Sequence, residues 1–154
     1  MPIVRRFKDL GTDIDSLYID IVDELQKEKE LNIANELEGT VKDTGKPFKT
    51  VTAVRESIPR AFVGALREVT VTITGDSDDF VVETHTGAWL SNLAMPGAEG
   101  LLIAGPIGAG VAAGASGLAA ANYRRKMVKK INELVKKHSK KKLTVEKVED
   151  IPTE

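Results

Sequence analysis

From Gly100 to Ala121 the chain runs for 22 residues without a charge, and six of these are Gly, eight Ala and only six Leu, Ile or Val. Side chains this small bury little apolar surface. Each Gly inside a helix costs about 1 kcal/mol relative to Ala. Such a stretch stays ordered only when another surface presses closely against it. On a helix Gly110, Ala113, Gly114, Gly117 and Ala121 share one face. The spacing Gly110-x-x-x-Gly114 lets a second backbone approach closely. These five residues are the candidate self-association face.

A membrane span is the weaker reading of the same stretch. Its length suffices, at roughly 33 Å for a helix. Six strong apolar residues, however, supply only roughly −2 to −4 kcal/mol of insertion energy. A hairpin bent at Gly105-Pro106 is easier to accept. It predicts a short helical piece before the bend, with Leu101, Leu102 and Ile103 entering one leaflet, and a longer helix from about Ala109 to Ser139. The alternative is ordinary packing of these helices on the rest of the chain.

Beyond Ala121 the chain becomes strongly basic. Arg124 to Lys142 holds ten basic residues against the single acid Glu133. Residues 1–99 carry 11 basic and 18 acidic side chains, net −7, whereas residues 100–154 carry 11 and 5, net +6. Tyr123, Met127, Ile131, Leu134, Val135 and His138 follow helical spacing, with cations between them. A basic amphipathic helix suits an anionic lipid surface, or else the chain's own acidic head. Arg124, Arg125, Lys126, Lys129 and Lys130 are the candidate contacts to anionic headgroups, with Leu101, Leu102 and Ile103 as apolar insertion. Nucleic acid fits less well, because Tyr123 is the lone aromatic platform of the segment.

The first 90 residues read as an α+β head. Ile14, Leu17, Tyr18, Ile21, Val22 and Leu25 form one stripe, predicting a helix over Thr12 to Lys29 with Thr12 and Asp15 as a capping pair. Leu31, Ile33 and Leu37 alternate with polar residues, as do Val51 and Ala53. Val69, Val71 and Ile73 alternate with Glu68, Thr70, Thr72 and Thr74, then Gly75-Asp76-Ser77-Asp78 turns the chain into Phe80 and Val82. That pattern predicts a hairpin with one wet face. The expected fold is therefore α+β: a small antiparallel sheet of three or four strands covered by an N-terminal helix, then a Gly/Ala-rich helical segment and a long basic amphipathic helix. The corresponding divisions are 1–90, 91–142 and 143–154, the last with Leu143 to Val148 as a candidate edge strand.

Enzymatic signatures fail individually. Gly39 to Lys46 has five residues between its glycines where a phosphate loop has four, and Pro47 stands where a metal-holding hydroxyl would be. Gly108 to Ala113 fits a loose dinucleotide pattern without the strand that must precede it. The loop that holds Asp76, Asp78 and Asp79 is too short for a dedicated calcium loop and lacks a following Glu ligand at the right distance. His85 and His138 are the only histidines. Neither has a neighbouring nucleophile or second ligand in sequence, so His85 is read as a strand-face residue and His138 as part of the basic helix. The chain has no cysteine, which removes disulfides and thiolate metal sites. Met1 to Gly11 carries Arg5, Arg6 and Lys8 without an apolar run, so no secretory leader is read there. The expectation is a non-enzymatic cytoplasmic protein, peripheral at the inner face of the cell membrane. It associates with an anionic membrane surface, with copies of itself, or both, and has no catalytic residues, cofactor, metal or small-molecule substrate. A soluble binding module for nucleic acid or an acidic protein is the alternative, and a small enzyme without a known motif the third.

Overall fold

The computed structural model describes residues 3–28, 30–41, 45–55, 68–86, 101–103 and 118–151. Strands β1 (Ile3–Lys8), β2 (Asn32–Val41), β3 (Pro47–Val54), β4 (Glu68–Asp76), β5 (Asp79–Thr86), β6 (Leu101–Ile103) and β7 (Val148–Ile151) form one sheet, with helices α1 (Ile14–Gln26) and α2 (Leu118–His138). The strand order is β6-β2-β3-β4-β5-β1-β7. Among the described residues six strands are antiparallel, and β6 alone joins in parallel, on β2.

The expected sheet of three or four strands is thus too small, and the fold is mostly sheet. Strand β1 escapes the sequence pattern because Arg5 and Arg6 sit side by side in it. Each cation finds an acid on a neighbouring strand: Arg5 Nε donates to Asp150 at 2.7 Å. Arg6 donates to both oxygens of Asp79 at 2.8 and 2.6 Å. Residues 101–103 are strand, where the bent-hairpin reading predicts helix, because their backbone joins that of Gly39–Val41 in the sheet. The last strand begins at Val148, at the end of the Leu143–Val148 stretch expected to form it. The glycines of the self-association face, Gly110, Gly114 and Gly117, lie outside the described residues, as do Ala113 and the Gly105-Pro106 bend; Ala121 lies in α2.

Helix α1 is capped by Asp13, not Thr12. Asp13 accepts from the Ser16 amide at 3.2 Å and from the Ser16 hydroxyl at 2.8 Å. Thr12 is used elsewhere: its amide donates to the Ser77 carbonyl at 2.9 Å, and its hydroxyl meets that of Ser139 at 2.7 Å. The register places Val51, Ala53, Val69, Val71, Ile73, Phe80, Val82 and Phe7 on one face of the sheet. There they pack with Leu17, Ile21 and Leu25 of α1 and with Met127, Ile131 and Val135 of α2. Phe7 and Phe80 stack across the β1–β5 pair, with ring centroids 5.2 Å apart.

The reverse face is not wet. Thr50, Thr52, Thr70, Thr72, Glu83 and His85 occupy it, and every one is buried. Threonines pair across strands, Thr50 with Thr72 and Thr52 with Thr70, each at 3.0 Å between hydroxyl oxygens. Val4, Leu37, Val41 and Phe48, also buried, flank this polar centre.

Candidate functional site

Helix α2 is held on the sheet by its apolar stripe and by polar contacts along its length. Tyr123, Met127, Val128, Ile131, Leu134 and Val135 are all buried. Near its start, Arg124 donates to the Thr86 hydroxyl at 3.0 Å. Near its end, Asp20 of α1 accepts from Lys137 at 3.1 Å and lies 2.6 Å from His138 Nε2. Those two contacts, His138 first, hold the Asp20 carboxyl below its ordinary range. Past the helix, the amides of Lys140 and Lys141 donate to the carbonyls of Gly11 and Leu10. The basic segment does meet the acidic head, but through few of its charges.

Most of the remaining cations point outward. Arg125, Lys126, Lys129, Lys136, Lys137, Lys140, Lys141 and Lys142 are exposed. At roughly 100° per residue, Arg125, Lys129 and Lys136 fall within about 40° of one another, on the side opposite the buried stripe. Lys130 is half-exposed and reaches Glu133, the one acid of that helix, at 3.6 Å. Arg124 does not belong to the outward set: it is partly buried, and burial, then Arg125, lowers its pKa. The face that joins Arg125 to Lys129 continues to Lys136, about two turns beyond the candidate residues from sequence. Lys140 to Lys142 extend the patch beyond the helix.

The neighbouring helix carries the opposite sign. Asp13, Asp15 and Asp23 of the α1 region are exposed, beside an exposed Ile19. The helix side of the molecule is therefore electrically divided, acidic along α1 and basic along α2.

A second titratable group lies inside the sheet's reverse face. Glu83 Oε1 and His85 Nε2, two residues apart on β5, are 3.5 Å from each other. That separation suits an ion pair, yet burial pushes the Glu83 carboxyl up to about 9. Burial, followed by nearby positive charge including Arg124, pushes His85 down to about 3. Near neutral pH the contact is thus one between an uncharged acid and an uncharged imidazole. With Glu83 keeping its proton and His85 resisting one, the pair is poorly matched to acid–base exchange near neutral pH, and the groove at the sheet's end, between α1 and the β2–β3 pair, lies away from it.

Among the described residues no helix is long and apolar enough to cross a membrane, and no cluster of three His, Asp or Glu side chains is placed to hold a metal ion. No protein-family model, curated protein or solved structure matches this chain.

Proposed function

We propose that the protein is a peripheral, non-enzymatic component of the inner membrane surface that docks on anionic headgroups through the outward face of α2. The observation that carries this reading is the division of that helix: its apolar stripe is spent in the core while Arg125, Lys126, Lys129 and Lys136 face solvent. A helix so placed cannot insert its apolar face, and it meets a surface through charge. Each cation near an anionic bilayer contributes about 1 kcal/mol, and the attraction fades with salt. The acidic α1 sets the orientation, because it is repelled by the surface that attracts α2. Nucleic acid is disfavoured by the burial of Tyr123, which removes the helix's one aromatic platform from any stacking role.

Vesicle flotation tests the reading. The chain should float with vesicles containing phosphatidylserine or phosphatidylglycerol at low salt and stay behind with neutral phosphatidylcholine. Flotation should disappear in 0.5 M salt (about a 4 Å screening length) and in the triple variant Arg125→Gln, Lys129→Gln, Lys136→Gln. Failure to float with acidic vesicles at low salt, or equal flotation of the triple variant, would remove α2 as a lipid-facing surface.

A further inference from the structure

The end of the sheet opposite in charge to α2 contains a groove of about 600 Å³, between the first turn of α1 and the β2–β3 and β4 strand ends. That volume is in the range of small-molecule sites. Ile73, 2% exposed, closes its floor, and Ile14 and Pro47 supply apolar walls. Gly75 lines it without a side chain, and must remain Gly: its φ is +122°, and a Cβ there would stand 2.3 Å from the Asp79 carbonyl oxygen.

Charge around this floor is unbalanced. Asp15, Glu38 and Asp76 line the groove with one cation, Lys49. Lys49 is already committed, 2.8 Å from Asp15 and with its ammonium 5.5 Å from the Tyr18 ring centroid. The nearby Arg6 and Lys46 are drawn to Asp79 instead. Asp76 Oδ1 accepts the amides of Asp78 and Asp79, both at 3.1 Å. This fixes the carboxylate at the rim but does not neutralise it. The positive start of α1 offers no competing anion site, since Asp13 caps it and Asp15 adds a further negative charge.

We infer that this groove binds an aliphatic polyamine, with methylene runs over Ile73, Ile14 and Pro47 and ammonium groups at Glu38 and Asp76. A bare divalent cation would use the carboxylates and leave the apolar floor wet. A neutral aliphatic molecule would leave the carboxylates unmatched. A chain that alternates ammonium with hydrocarbon satisfies both parts of the lining.

Titration calorimetry of the full chain with spermidine is the test. The expected result is saturable binding at one site that magnesium chloride of equal ionic strength does not displace. The double variant Glu38→Gln, Asp76→Asn should weaken binding at least tenfold; Asn retains the side-chain oxygen that holds the turn. An independent variant, Thr40→Lys, plants an ammonium at the same rim and should likewise weaken spermidine at least tenfold. Circular dichroism identifies whichever variant is folded for the comparison. Absence of saturable heat, unchanged affinity in a folded variant, or displacement by magnesium would overturn the assignment.

Discussion

On the helix-facing side of the sheet, Val69, Val71, Ile73, Phe80 and Val82 are at most 4% exposed; on the reverse, Thr70, Thr72, Glu83 and His85 occupy the alternate positions of the same two strands and are at most 1% exposed. The two faces are equally dry and differ in what burial requires of them. An apolar side chain gains from leaving water whatever its neighbour, provided the space is filled. A polar one must take a partner with it or lose its charge. The threonines take the first course by pairing across strands, and Glu83 takes the second by holding its proton. The helix face thus supplies most of the stability, while the reverse face makes that stability sensitive to single hydroxyls and to pH.

The comparison is tested most severely at Phe80. Its ring stacks on Phe7 and is 1% exposed. Phe80→Ala should destabilise by about 3–5 kcal/mol, the range for large buried rings, read as a lower denaturant midpoint at constant slope. A loss below about 1 kcal/mol would mean that the helix face is not the principal core.

Glu83 should give the next largest effect, and one that depends on pH. Its carboxyl titrates near 9 in the fold against 4.5 when free. Between those values the folded chain keeps a proton that the unfolded chain has released, so stability falls as pH rises. The loss is on the order of 3 kcal/mol by pH 7. His85 acts in the opposite sense. Its value near 3 lies below the free 6.5, so its contribution rises with pH from about 3 to 6.5. The two slopes oppose each other between 4.5 and 6.5, and above 6.5 only the decline from Glu83 remains. Glu83→Gln keeps the shape without the titration. Its stability relative to the parent should therefore increase steadily from pH 6.5 to 9. Parallel stability curves for the two proteins would show that Glu83 is not held neutral.

The same contrast decides how far these faces are legible in the sequence. The alternation of Val69, Val71 and Ile73 with threonines locates β4 and its turn into β5, and the stripe from Ile14 to Leu25 locates α1. Alternation says which residues share a face; it does not say that the polar face is open, and Thr70 and Thr72 read as wet for that reason. Strand β1 is hidden because adjacent Arg5 and Arg6 break the period, and their acids lie 145 and 73 residues away. Separations of that kind leave no local mark. The groove of Glu38, Lys49 and Asp76 is invisible on the same ground, since three separate strands and α1 assemble it. The basic patch is legible because it lies on one helix, although sequence does not tell the burial of Arg124 from the exposure of Arg125.

The smallest effect, and the sharpest, belongs to the threonine pairs. Thr50 and Thr72 are buried, with their hydroxyl oxygens 3.0 Å apart. Thr72→Val preserves shape and strand preference but strips the Thr50 hydroxyl of its partner, which should cost about 1–3 kcal/mol. Adding Thr50→Val removes the stranded hydroxyl as well, and two valines suit a dry strand face at least as well as two threonines. The double variant should therefore recover most of what the single variant loses, with a coupling energy of roughly 1–2 kcal/mol in the cycle. Were the reverse face open to water, a lone Thr50 hydroxyl would bond to solvent, and both variants would lie within about 0.5 kcal/mol of the parent. The two outcomes separate a polar face that is buried and internally matched from one that is merely shielded, and the same cycle at Thr52 and Thr70 extends the distinction along the sheet.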